Sequence, residues 1–333
     1  MPLKIAVVGT GPVARGNYLP FLARQPDVVL GCWNRTAAGA AAAAGEFGGK
    51  VFAGLAEVAA WRPDAALVLV NERARCEVGN RLIEGGVRRI FFEKPLVAAA
   101  GQANVAERDF LEGKAMLALA GARGCETAMV FNYRFFDHCA AARAAVAERN
   151  FGAVLNVAGF VHFACWSHCL DLIRHFAGNL AEITALRSGV IRRSEEIKTD
   201  APDVAAAFTT AGGATGIVLG TAGAQWAHPL YELTFNFECG RILLRDLDGS
   251  IEIHGERGAP CEIRSLPPHR SRWDQYRDSF ERSLGAYLDS VRAGRPPPIP
   301  GAEGLAELQI EAALRRSIAQ GRPVSLAKEF PLD

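Results

Sequence analysis

The first 95 residues alternate short apolar runs with stretches of helical propensity, and this alternation restricts the fold more than any other feature of the chain. IAVVG (5–9), VVLGCW (28–33), AALVLV (65–70) and RRIFF (88–92) read as strands. Residues 12–24, the alanine-rich 37–45 and residues 74–85 read as the helices between them. Strands separated by helices of this length build parallel β-α-β units. The runs are apolar on both faces, as in a parallel sheet covered by helices on both sides.

After about residue 125 the pattern changes. TAMVFNYRF (127–135) reads as a strand. YELTFNFE (231–238) alternates apolar and polar residues, the pattern of a half-exposed antiparallel strand. ILLRDLDGSIEIHG carries Asp248-Gly249 between two β-like runs, a hairpin signal. Residues 273–292 and 302–319 read as helices on either side of the rigid GRPPPIPG (294–301). The predicted class is α/β. An N-terminal Rossmann domain with a doubly wound parallel sheet spans 1–124. An α+β domain with a largely antiparallel open sheet spans 125–333 and would serve substrate binding and oligomerisation. The second face of YELTFNFECGRILL needs covering, which predicts a homodimer or homotetramer.

Composition excludes several function classes. The chain has 333 residues, half of them hydrophobic, enough for two domains with full cores. Its net charge of +1 gives no electrostatic case for nucleic acid or an anionic membrane. No apolar run approaches a membrane span, and the first apolar run is too short for a signal sequence. Eight scattered cysteines with no C-x-x-C pair suit a reduced, cytoplasmic protein. Cys165 and Cys169 lie four apart near His162 and His168, but no second ligand cluster accompanies them, so no metal is expected.

The chemistry begins at Gly9-Thr10-Gly11-Pro12-Val13-Ala14, directly after the first strand and at the start of a helix. This is the setting a dinucleotide fingerprint requires. Gly9 permits the tight turn, Gly11 lets a pyrophosphate approach the backbone, and Ala14 allows close helix–strand packing. Pro12 suits the first helical position, and the helix N-terminus, with Val13 in its first turn, faces the phosphates. At the end of the second strand an NAD site usually places a carboxylate for the ribose 2′-hydroxyl. Here the residues are Asn34-Arg35-Thr36. Arg35 can pair with a 2′-phosphate and stack on adenine, so NADP is expected in preference to NAD.

Phe92-Glu93-Lys94-Pro95 adds a second motif. Together with the glycine motif, FNYRF (131–135), SHCLDLIRHFAG (167–178) and DSFERSLGAYLDSVRAGRPPPIPGAEGL (278–305), it resembles the Gfo/Idh/MocA (glucose–fructose oxidoreductase / inositol dehydrogenase) family over nearly the whole chain. The resemblance implies that Lys94 lies where nicotinamide meets substrate and is the proton donor or acceptor at the reacting oxygen. It implies that Glu93 orients Lys94 or the cofactor. It gives His168 a substrate hydroxyl or a share in proton transfer, with Asp171 one turn on. It brings Tyr133 and Arg134 to the substrate, although Arg134 could equally serve the cofactor or a salt bridge.

Three departures from the family pattern stand out. The D-x-G-x-H stretch of many members reads Ala164-Cys165-Trp166-Ser167-His168, so the carboxylate is missing at Ala164. His162 and Asp200 cannot be placed from sequence. Thr-Pro and a later His after the fourth strand are replaced by Asn71, Glu72 and Cys76, and this is where relatives border the nicotinamide ribose. The segment between Arg134 and His168 looks short, and that between Pro95 and Phe131 long. The expected activity is NAD(P)-dependent hydride transfer between nicotinamide and a sugar-like or polyol carbonyl or hydroxyl, with Lys94 as general acid/base. The alternatives are a cofactor-binding member with lost or regulatory redox activity, and glycoside cleavage or epimerisation by transient oxidation with retained NAD. The small-molecule substrate is not named by any motif.

Overall fold

A computed structural model of the chain describes residues 2–255 and 260–333. These residues divide into two compact units, each assembled from three chain segments. Unit one comprises Met1–Gly101, Arg108–Val130 and Phe280–Leu308, and unit two comprises Gln102–Glu107, Phe131–Ser279 and Gln309–Asp333. The division therefore differs from a single cut at residue 124. The sequence around 280–308 reads as helix on either side of GRPPPIPG and carries no mark of the unit it completes.

Unit one holds six parallel strands: β1 (Leu3–Val8), β2 (Val28–Trp33), β3 (Lys50–Val51), β4 (Ala65–Val68), β5 (Arg89–Phe92) and β6 (Glu126–Met129), in the order β3-β2-β1-β4-β5-β6. β1 pairs with β2 on one side and β4 on the other, so the strand order reverses there. Ligands of open α/β sheets bind outside the carboxyl ends of strands at such a switch point. The apolar runs of β1, β4 and β5 are buried throughout their central residues, as a sheet covered on both faces requires. The returning segment supplies part of that cover. Tyr287 packs on Phe91 with ring centroids 4.6 Å apart, Phe280 packs on Tyr18 at 5.2 Å, and Arg292 closes a bidentate pair with Asp27.

Unit two holds a nine-stranded sheet: β7 (Val154–His162), β8 (Leu180–Ser194), β9 (Thr199–Thr210), β10 (Thr215–Thr221), β11 (Tyr231–Phe237), β12 (Arg241–Arg245), β13 (Ser250–His254), β14 (Glu262–Ser265) and β15 (Val324–Ser325), in the order β14-β13-β12-β11-β7-β10-β9-β8-β15. Every pairing is antiparallel except β7 with β10. The hairpin at Asp248-Gly249 is present, with Asp246 and Asp248 both at positive φ in its turn. One strand is corrected. TAMVFNYRF is extended only at its start, and Asn132–Phe135 form a 3-10 turn. Burial outweighs the local β pattern here. The Asn132 amide donates to Ser279 Oγ at 2.7 Å, and the Tyr133 ring turns inward onto His168. No helix among the described residues is long and apolar enough to cross a membrane.

Candidate active site

The glycine motif sits where its sequence position implied. Gly9 has φ +103°, and a Cβ there would meet the backbone nitrogen of Val70 at 2.6 Å. Only glycine fits this crossing of β1 and the end of β4. Gly11 is different. A Cβ built on it has nothing within 4 Å, and its φ lies outside the left-handed region. Packing therefore does not demand glycine at position 11, whereas close approach of a ligand would. The helix that follows opens at Pro12. Pro12 and Val13 are exposed, and Ala14 is buried against the sheet. Ala14–Tyr18 widen into a π turn before Pro20, whose missing N–H cannot continue the ladder.

Gly9, Gly11, Asn34, Arg35, Thr36 and Asn71 line one cavity of about 540 Å³ at the carboxyl ends of β1, β2 and β4. Asn34 donates to Thr36 Oγ1 at 3.2 Å, and Asn71 Oδ1 accepts from the Arg73 amide at 3.1 Å. Arg35 is exposed at the rim, and no ion pair to it forms among the described residues. The other walls come from residues that no motif singled out, among them Trp33, Leu69, Val78 and the exposed Glu77–Arg81 pair. They carry no sequence signal because ordinary helix and strand residues become walls only once the sheet is closed.

The EKP turn follows β5. Glu93 is buried, and its two oxygens are both held. The Tyr18 hydroxyl donates to Oε1 at 3.0 Å, and the Lys94 backbone amide donates to Oε2 at 2.6 Å. Burial pushes the Glu93 carboxyl above its ordinary range, against the pull of the Lys94 and Arg75 charges. The Lys94–Pro95 bond is cis, and Lys94 is half-buried. Arg75, a residue the sequence reading passed over, anchors this turn from below. It is 3% exposed and donates to the Pro95 carbonyl and, at 3.0 Å, to the Val70 carbonyl. One guanidinium thus ties together the loops that end β4 and β5. Burial pulls its pKa down, while Glu93 and Glu72 favour the charged form. Only the folded chain reveals it, since an arginine after a strand normally reads as solvated.

Unit two gathers the remaining candidates. His168 lies on the helix Trp166–Ala177, is 1% exposed, and stacks on Tyr133 with ring centroids 4.0 Å apart. The Tyr133 hydroxyl donates to Cys165 Sγ at 3.1 Å, and burial holds the phenol well above its ordinary pKa. Arg134 donates to both oxygens of the fully buried Asp171, at 2.8 and 2.5 Å. Of the roles open to Arg134, the salt bridge is the one the geometry displays. His162 is buried, and its Nδ1 accepts the Ala164 amide at 3.0 Å; burial lowers its pKa. Asp200 is engaged by Arg193 on the neighbouring strand. Neither Cys165 nor Cys169 belongs to a metal-ligand cluster among the described residues.

Residues 3–125 match the model of an oxidoreductase family with an NAD-binding Rossmann fold, Gfo/Idh/MocA. Inositol 2-dehydrogenase of Rhizobium meliloti is 22% identical over 360 residues, covering 98% of this chain and all of that protein. An oxidoreductase from Agrobacterium radiobacter, solved with NAD+, L-tartaric acid and magnesium, superposes with a TM-score of 0.81 at 18% identity, covering 98% of this chain and 99% of the other. A levoglucosan dehydrogenase solved with NADH and levoglucosan also gives 0.81, at 17% identity, covering 98% and 100%. At these identities the structures bear on the fold, and the dinucleotide fingerprint rests on this chain's own Gly9, Gly11 and open cavity rim. The glycine turn and the EKP turn both lie within residues 3–125, the part of the chain that matches the NAD-binding Rossmann model of the Gfo/Idh/MocA oxidoreductases.

Proposed function

We propose that the protein transfers a hydride between a nicotinamide dinucleotide and a sugar-like or polyol carbonyl or hydroxyl. The observation that carries this is the contrast between the two glycines. Gly9 is required by the fold, whereas Gly11 faces open space at the helix N-terminus, where a pyrophosphate would need backbone access. The cofactor, when bound, supplies or accepts the hydride. Lys94 holds or takes the proton of the reacting oxygen, and the Glu93–Tyr18–Arg75 set fixes the turn that carries it. The related proteins named above act on or bind polyols, anhydrosugars and hydroxy acids, which supports a polyhydroxylated substrate. The test is a panel of such compounds with reduced and oxidised cofactor, followed by nicotinamide absorbance. Net turnover is expected. Retained cofactor with no net redox change would instead favour transient oxidation, and binding without turnover a regulatory member.

The phosphorylated cofactor is favoured by Arg35. It is exposed on the cavity rim, and no carboxylate stands in the Asn34–Thr36 loop. Arg35→Ala should weaken NADPH binding by roughly 1–3 kcal/mol, the scale of a lost charge-assisted contact, with NADH affinity almost unchanged. Calorimetry in which the wild type binds NADH more tightly than NADPH would overturn this.

A second copy of the chain is the proposed partner. β11 turns Glu232, Thr234 and Asn236 outward, while the exposed apolar side chains stand on its neighbours. Phe160 on β7, Leu186 and Ile191 on β8, and Ile217 and Leu219 on β10 are 40–66% exposed. An apolar sheet face of this kind is the usual mark of an interface. Light scattering at micromolar concentration should return at least a dimer mass, and Leu219→Glu should shift it toward the monomer. A wild-type monomer would refute the proposal.

A further inference from the structure

We propose that Glu252, His254 and Cys261 form a binding site for a divalent cation of the zinc class at the β14 edge of the unit-two sheet. The register builds it. Ile253 pairs with Glu262, so the next residues outward, His254 and Cys261, face each other across the two strands. Glu252 lies two residues before His254 and shares its face of β13, while Ile251 and Ile253 are buried on the other. The three ligand atoms all lie within 4.8 Å of one another. Cys261 Sγ is 3.4 Å from His254 Nε2, and His254 Nε2 is 3.6 Å from Glu252 Oε2.

These spacings match those a metal ion imposes. Tetrahedral zinc with bonds of about 2.0–2.1 Å to nitrogen and about 2.3 Å to sulfur holds such ligands roughly 3.5 Å apart. The donor set also selects among metals. A thiolate beside an imidazole suits zinc or cobalt rather than magnesium or calcium, which take oxygen shells. As ligands the thiolate and carboxylate would carry two negative charges and the imidazole none, which balances a divalent ion.

Among the described residues, the neighbouring charges leave this set in place. Arg245 reaches Glu252 through the other oxygen, Oε1, at 3.9 Å, and its Nε is engaged by Glu232 at 3.0 Å. Arg241, opposite His254 on β12, donates from Nε to Asn236. Glu262 beside Cys261 is turned to Arg149 and Arg264. Three protein ligands leave the fourth position to water. An ion held there would fasten β14, the edge strand, to β13.

The test uses the full chain titrated with cobalt(II) and zinc(II). One equivalent of cobalt should bind with a thiolate charge-transfer band, which zinc then displaces. Cys261→Ser should abolish the band, and His254→Gln should weaken binding at least about tenfold. Cys239→Ser, at the other exposed cysteine, should change nothing. Zinc should raise the thermal midpoint of the wild type and leave that of Cys261→Ser where it was. The proposal fails if no stoichiometric ion binds at micromolar concentration. It also fails if the band survives Cys261→Ser or disappears with Cys239→Ser. In those cases the cluster is a hydrogen-bonded surface pair and nothing more.

Discussion

Lys94→Ala should lower kcat by on the order of 10²–10⁴, the range for loss of a general acid or base. Lys94 follows β5 at the carboxyl end of a parallel sheet, the side on which such folds bind ligands. Its backbone is fixed rather than loose. Glu93 holds the Lys94 amide, Tyr18 holds Glu93, and Arg75 holds the Pro95 carbonyl. A side chain carried on such a turn can be presented with little freedom to lose. Cofactor affinity should change far less, because the pyrophosphate contacts proposed above belong to Gly9–Ala14. His168→Ala should cost less than Lys94→Ala, since His168 is 1% exposed and stacked on Tyr133. Steady-state kinetics with a working substrate decide the matter. Near-normal kcat in Lys94→Ala would mean that the chemistry lies elsewhere.

Gly11→Val should abolish dinucleotide binding and leave the fold intact. Nothing stands within 4 Å of a Cβ at position 11, so the valine meets no protein atom at its root. Stability should stay within about 0.5 kcal/mol of wild type, as for surface changes away from strained positions. The space it takes is the space a pyrophosphate needs. Gly9→Val is the informative contrast. There the side chain collides with the Val70 backbone at 2.6 Å, and the backbone itself is left-handed, so folding suffers along with binding. Calorimetry showing unchanged affinity in a folded Gly11→Val would overturn the assignment.

Much of this was legible in the sequence for one physical reason: buried parallel strands announce themselves as unbroken apolar runs. VVLGCW is a strand over the residues read, and the helices at 37–45 and 74–85 fall within a few residues of their observed ends. The glycine and EKP motifs were legible because their geometry is local. What stayed hidden depends on distant parts of the chain. Asn132–Phe135 took a 3-10 turn because Ser279 and His168 await those side chains. Arg75 reads as a solvated arginine until the ends of β4 and β5 are brought over it. His254 and Cys261 become opposite neighbours only through a strand register. Of the pair Cys165 and Cys169, conspicuous in sequence, Cys165 instead accepts the buried Tyr133 hydroxyl.

The three-segment make-up of unit one has a consequence for how the chain is made. β1 to β6 leave the ribosome early, yet Phe280, Leu284, Tyr287 and Leu288, all buried, arrive only after β7–β14 have been synthesised. Until then Tyr18 lacks the Phe280 ring and Phe91 the Tyr287 ring. Closing this core joins segments far apart in sequence, the kind of step that slows folding and prolongs exposure of apolar surface. A fragment ending at residue 130 is therefore expected to expose apolar surface and to fold only when residues 280–308 are supplied, which limited proteolysis of the fragment with and without that segment would check.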